Sequence, residues 1–149
     1  MPGWKLVIAS DGSPSALRAA DWIAQHFDPA STTVTVVTVE HLAMPLIADP
    51  APLRALDEIV QEALTASREA ADTALDQTAK HLAGFSPRTV RLMGPPVEAL
   101  VRYLDQERPD LVVMGRRGLG VVGSVLGSVS LGVMQRSPVP VLVVEPPRT

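Results

Sequence analysis

Between positions 115 and 130 the chain reads Gly115-Arg116-Arg117-Gly118-Leu119-Gly120-Val121-Val122-Gly123-Ser124-Val125-Leu126-Gly127-Ser128-Val129-Ser130. Glycines at this density let a backbone approach an anion closely and turn its N–H groups inward. Ser128 and Ser130 add hydroxyls where a helical pattern begins, and the positive end of a helix favours negative charge. The chemistry that suits such a segment is the holding of a polyphosphate. The competing explanation, for any one glycine, is relief of crowding in a tight strand-to-helix connection. A second polar turn, Ser10-Asp11-Gly12-Ser13, follows the first apolar run of the chain.

Two familiar phosphate-binding patterns fit poorly. The P-loop signature G-x-x-x-x-G-K-[ST] is absent, and with lysines only at Lys5 and Lys80 none can reach the phosphates from this loop. Gly118-Leu119-Gly120-Val121-Val122-Gly123 does match G-x-G-x-x-G, with Glu145 downstream as a ribose contact. However, these glycines begin four residues after the preceding apolar run, and too little chain follows for a second mononucleotide half. His26, His41 and His81 are scattered, with no i,i+4 pair, which argues against a metal site or a catalytic triad. Ser13 reads as a helix cap rather than a nucleophile, Trp4 and Trp22 as packing residues, and of Arg116 and Arg117, adjacent in a loop, one is expected to be solvated.

Composition narrows the field further. A chain of 149 residues with 46% apolar and 19% charged residues is sized for one packed domain, 1–149. A net charge of −3 supplies no global field for nucleic acid or anionic lipid, and 3% aromatic residues cannot build a base-stacking platform, so neither nucleic acid nor membrane is expected as a partner. The absence of cysteine removes disulfides, thiolate metal sites and cysteine nucleophiles. No apolar run approaches ~20 residues and the first residues lack the pattern of a signal peptide, so the expected location is cytoplasmic.

The elements that position the two polar segments follow from periodicity. Leu6 to Ala9 reads as a buried strand, and Ser13-Pro14 starts a helix carrying Leu17, Ala20, Ile23, Ala24 and Phe27 on one face. Thr32 to Val39 is a β-branched strand, followed by a loop from His41 to Pro52. Leu53, Leu56, Val60, Ala63, Leu64, Ala70, Ala74, Leu75 and Leu82 then trace a face of a long alanine-rich helix ending at Gly84; they do not keep the register of a coiled coil. Thr89 to Leu92 is a short strand, and Val97, Leu100, Val101 and Leu104 mark a third helix. Asp110 to Met114 is a strand buried on both faces, Ser128 to Arg136 a fourth helix, and Pro138 to Val144 a closing strand whose prolines suit an edge. Five strands alternating with four helices predict an α/β, doubly wound, five-stranded parallel sheet; for the order 3-2-1-4-5, the expected one, the ligand crevice lies between the first and fourth strands.

Gly115-x2-Gly118 followed by Gly127-Ser128 resembles the ATP-binding signature of the universal stress protein family. The likeness extends to Val7-Ile8-Ala9-Ser10-Asp11-Gly12-Ser13, to Gly94-Pro95-Pro96-Val97-Glu98-Ala99-Leu100, and to the fourth and fifth strands. It implies a Rossmann-like domain, a homodimer, and a role in stress responses and dormancy, in either an ATP-binding branch or a branch without nucleotide. Carried over by position, Asp11 and the backbone of Val39 hold the adenosine end, and Gly115 lies near the ribose. Gly118, Gly127, Ser128 and Ser130 cradle the phosphates of ATP with Mg or Mn. One departure stands out: Gly118 and Gly127 enclose eight residues where the family signature has nine.

The resulting expectation is an ATP-binding stress protein acting as a nucleotide-dependent binding and signalling module, with weak hydrolysis at most. Two alternatives stay open: a nucleotide-free dimerising module with a degenerate glycine loop, and a slow ATPase. The apolar last strand at the sheet edge is expected to pair with its copy through Val139 to Val144, forming a C2 homodimer.

Overall fold

Strand β1 (Trp4–Ala9) is buried over its last four residues because it has a parallel neighbour on each side. On one side β2 (Thr32–Glu40) runs in register from Trp4 opposite Thr32 to Ala9 opposite Val37. On the other, β4 (Leu111–Gly115) pairs Leu6 with Leu111 through Ala9 with Met114. In the computed structural model, which describes residues 3–41, 53–117 and 126–145, the edges are β3 (Arg88–Met93) and β5 (Val141–Val144), completing a parallel sheet of order β3-β2-β1-β4-β5. This is the expected strand order.

Helices α1 (Pro14–His26) and α2 (Leu53–His81) cover one face of the sheet, and α3 (Pro96–Glu107) and α4 (Ser128–Arg136) cover the other. The alternation of side chains along the strands sorts the core accordingly. Leu6, Ile8, Val34, Val36 and Val113 pack against Ala19, Ala20 and Ile23 of α1 and Leu75 of α2. Val7, Ala9, Val37, Val112 and Met114 pack against Leu100 and Leu104 of α3 and Val133 of α4. The winding therefore reverses between β1 and β4, where the crossover helices change face.

The helix stripes differ in detail from the expected ones. On α1 the buried positions are Ser15, Ala16, Ala19, Ala20 and Ile23, while Ala24 is exposed. On α2 the buried stripe is Ala71, Ala74, Leu75 and Thr78, continuing to Leu82 just past the helix; Ala70 and Leu56 are exposed. The true stripe keeps the i, i+3, i+4, i+7 spacing, and in an alanine-rich helix a neighbouring alanine imitates it. The prolines expected inside the last strand precede it instead, and the carbonyl of Pro140 accepts from Val112 N–H at 3.0 Å. Asp110 falls just before β4 and ties it to β1: its N–H donates to Lys5 O, and its Oδ2 accepts from Lys5 N–H, both at 2.8 Å.

Ser13 caps α1 as expected, its Oγ accepting from Ala16 N–H at 3.2 Å, with Pro14 as the first helical residue. The tryptophans pack: Trp4 meets Phe27 edge-on at 5.4 Å and Trp22 stacks on His26 at 4.1 Å. Where β4 ends, α1 passes so close that a Cβ on Gly115 would lie 2.6 Å from the carbonyl carbon and Oγ of Ser15. Backbone cannot yield that far cheaply, so crowding alone requires glycine here.

Two outcomes follow from this packing. Gly115→Ala is expected to lower stability in urea unfolding by about 1–3 kcal/mol. Gly84→Ala, whose Cβ would meet nothing nearer than Pro29 Cγ at 4.0 Å, shifts stability by no more than about 1 kcal/mol. Tyr103, the single tyrosine of the chain, has its phenol raised above its ordinary value, first by burial and then by Glu107, against the opposing pull of Arg88 and a hydrogen bond with Thr35. Folding therefore favours the neutral phenol. The associated stability is fully present below about pH 10, the unfolded value, and is lost as pH rises through the folded one. Phenolate absorbance, which reads Tyr103 alone, is expected to titrate with a midpoint above that of free tyrosine, and Tyr103→Phe to flatten the alkaline loss of stability.

Candidate functional site

At the C-terminal ends of the strands, where the winding reverses, a crevice of about 390 Å³ opens, within the range of small-molecule sites. Its floor is Ala9, Ser10 and Asp11 from the end of β1. One wall is Val37 to Val39 and His41 from β2, and the other is Met114, Gly115 and Arg117 from β4. Pro96 and Leu100 of α3 and the segment 127–130 at the start of α4 close the α3/α4 side. Asp11, Val39, Gly115, Gly127, Ser128 and Ser130, named from the sequence, thus converge on one crevice. Gly118 lies outside the described residues.

The local sequence explains why these groups stand as they do. After β1, Asp11 forms an Asx turn, its Oδ1 accepting from Ser13 N–H at 3.0 Å, and Gly12 takes φ +78°, which frees the chain to enter α1. The first turn of α1 then grips the start of the glycine-rich segment. Arg117 N–H donates to Ser15 Oγ at 3.2 Å, and Ser13 Oγ reaches Arg117 O at 3.4 Å. Beyond residue 125, Gly127 N–H donates to Arg116 O at 2.9 Å, bringing the start of α4 back beside the end of β4.

These bonds also decide which groups can still meet a ligand. Ser130 Oγ gives its one hydrogen to Gly115 O at 2.9 Å, so in this arrangement its hydroxyl braces the two ends of the loop and is not a donor into the crevice. Gly127 N–H is likewise engaged. Helix α4 has glycine at its N-cap and no side-chain cap among the described residues, whereas α1 has Ser13. Helix geometry leaves the first N–H groups of α4 without intrahelical partners, and the exposed hydroxyl of Ser128 stands beside them. That is an arrangement suited to an anion.

Neither of the two adjacent arginines is fully solvated: Arg116 Nη1 pairs with Glu145, and the half-buried Arg117 lines the crevice. This pairing also occupies the carboxylate that a dinucleotide reading assigned to a ribose. His41, given no role from the sequence, lines the β2 wall, and its carbonyl accepts from Ser67 Oγ of α2 at 2.9 Å. Its placement follows from strand alternation, because Val37 and Val39 already face that side. Among the described residues no three His, Cys, Asp or Glu side chains are grouped to hold a metal ion. None of their helices is long and apolar enough to cross a membrane.

Comparison with known proteins agrees with this architecture. Residues 5–145 match the model of the universal stress protein family. A universal stress protein from Thermus aquaticus is 35% identical over 142 residues, covering 93% of this chain and 96% of that protein. Among solved structures, a universal stress protein from Lactobacillus plantarum superposes with a TM-score of 0.74 at 25% identity, covering 97% of this chain and 99% of that one. A universal stress protein crystallised in complex with cAMP is 32% identical, with a TM-score of 0.53, covering 97% of this chain and 98% of that one. The chain belongs to the universal stress protein family.

Proposed function

We propose that this chain is a cytoplasmic, nucleotide-dependent stress-response module whose crevice holds ATP with Mg or Mn, rather than a fast enzyme. The observation that carries the reading is the convergence of Asp11 and Val39 with the uncapped start of α4 on one crevice at the reversal of winding. In this reading Asp11 and the Val39 backbone take the adenosine, and Gly115 leaves room beside the ribose. Gly118, Ser128 and the first N–H groups of α4 take the phosphates, Gly127 leaves room for their approach, and Arg117 lines the same crevice. Ser130 acts from behind by bracing Gly115. The divalent ion would be carried largely by phosphate oxygens and water.

A second reading has a specific motive. The 32%-identical relative solved in complex with cAMP makes a cyclic adenine nucleotide the natural rival to ATP. A linear triphosphate draws on the α4 amides and the glycine segment far more than a cyclic monophosphate does, so the ratio of the two affinities separates the readings. A nucleotide-free module and a slow ATPase complete the alternatives.

Calorimetry with ATP and magnesium is expected to show binding, with ATP preferred over cAMP. Gly118→Val abolishes it by placing a branched side chain where phosphate must approach. Ser128→Ala costs roughly 1.5–3 kcal/mol of binding, the worth of one charge-assisted hydrogen bond. Asp11→Ala weakens adenosine recognition without abolishing binding. No heat at millimolar ATP transfers the assignment to the nucleotide-free module, and phosphate release on the order of once per second transfers it to an ATPase.

The homodimer belongs to the same proposal. β5 lies at a sheet edge with Val141, Leu142 and Val143 half-buried, which suits antiparallel pairing with a second copy along Val139 to Val144. Light scattering at micromolar concentration is expected to give a dimer for the parent chain and a shift toward monomer for Val143→Lys. A monomeric parent removes this part of the reading.

A further inference from the structure

The turn that forms the crevice floor is fastened to α2 by a buried chain of hydroxyls. Thr78 Oγ1, fully buried, donates to Ala74 O at 2.7 Å, which commits its only hydrogen. The 2.6 Å contact between Ser10 Oγ and Thr78 Oγ1 is therefore donated by Ser10. Ser10 Oγ in turn accepts from Gly12 N–H at 3.1 Å. The directions are fixed throughout: Gly12 N–H to Ser10, Ser10 to Thr78, Thr78 to the α2 backbone. Gly12 is also held from outside, since a Cβ there would lie 3.1 Å from Ala74 Cα.

We propose that Thr78 is a positioning residue for the ligand crevice. From α2 it fixes the Ser10–Gly12 turn, and with it the placement of Asp11, so that the affinity of the crevice is set partly by a helix that contributes no crevice-lining side chain among the described residues. The physical reason is the cost of the alternative. Were the turn to rotate away from α2, the buried Ser10 hydroxyl would lose the acceptor for its hydrogen, while Thr78 would keep its bond to Ala74 O. A turn held in this way presents Asp11 in one orientation before any ligand arrives, which lowers the ordering cost of binding. The proposal rests on the nucleotide reading of the crevice, but its structural half can be read without ligand.

The test compares Thr78→Val, Thr78→Ser and the parent, with Ser10→Ala interrupting the chain from its other end. Ile23→Val, in the same core layer but away from the turn, controls for general loss of stability. Two quantities are measured: hydrogen exchange of the Gly12 amide by NMR, and the ATP dissociation constant by calorimetry. Thr78→Val and Ser10→Ala are expected to speed Gly12 exchange and weaken ATP binding by about three- to tenfold, the range of one net hydrogen bond. Thr78→Ser restores both, and Ile23→Val moves neither. Parent-like Gly12 exchange in Thr78→Val overturns the inference, as does an equal effect from Ile23→Val. If Thr78→Val does not fold, Thr78→Ala decides by the same two readouts, because Ser10→Ala also removes the acceptor of the Gly12 N–H directly. A parent chain that binds no ATP overturns the nucleotide reading and the ligand half of this inference, while Gly12 exchange still decides whether Thr78 holds the turn.

Discussion

The close passage of α1 over the end of β4 is the constraint on which the rest of the crevice depends. β1 and β4 are adjacent parallel strands, yet the chain leaves them toward opposite faces, so their following segments must diverge. Divergence opens the crevice, and it also threatens to leave the end of β4 unsupported. Gly115 resolves this by lacking a side chain where Ser15 arrives. With the backbones this near, Ser13 and Ser15 reach Arg117 and fix the first residues of the glycine-rich segment. The opening and its support thus have a common origin.

Commitment of hydrogens, rather than mere presence of polar groups, then determines what the crevice can offer. Ser10 and Ser130 line it, yet each hydroxyl has given its proton to the protein: Ser10 to Thr78 and Ser130 to Gly115 O. A buried hydroxyl with a satisfied donor stiffens the wall it belongs to. Among the described residues, donors for an anion are thereby concentrated at Ser128 and the first turn of α4; Arg117 lines the same crevice, and Arg116 pairs with Glu145. The crevice is polar at its α4 end and largely apolar along Val37, Val39, Leu100 and Met114. A ligand with an anionic end and a flat apolar body matches that gradient.

Much of this was legible in the sequence because it depends on local pattern. The parallel, doubly wound class came from alternation and right-handed crossovers, the α1 cap from Ser13-Pro14, and, given the order 3-2-1-4-5, the meeting of Asp11 with 127–130 from the rule placing ligands where winding reverses. The parts that were not legible depend on contacts distant along the chain. Nothing near Ser15 in the sequence announces Arg117, over a hundred residues on. Thr78 did leave a trace: it falls on the apolar stripe between Ala74 and Leu82, and a polar side chain on a buried face requires a partner. Alanine at neighbouring positions blurred the stripe, so the trace pointed nowhere until Ser10 was seen opposite it. His41 was legible in principle, because it continues the alternation of Val37 and Val39.

The C-terminal half of helix α2 is fastened to the rim and floor of the crevice. Near its middle, Ser67 holds His41 O, and Asp72 holds Arg91, which pairs with the buried Glu40 at the end of β2. Further along, Thr78 holds Ser10, and Ala74 leaves no room for a side chain at Gly12. A buried carboxylate such as Glu40 is costly unless its partner stays in place, so the Arg91 contact resists small displacements of α2 against β2. Fixed at both the β2 wall and the β1 floor, α2 cannot shift without moving both sides of the adenosine end of the proposed site. Coupling between two sites is reciprocal: if a partner bound to α2 changes the affinity of the crevice for its ligand, the ligand changes the affinity for that partner by the same factor. In a protein proposed to act by binding rather than by turnover, that reciprocity provides a physical route from crevice occupancy to the outer surface of the molecule.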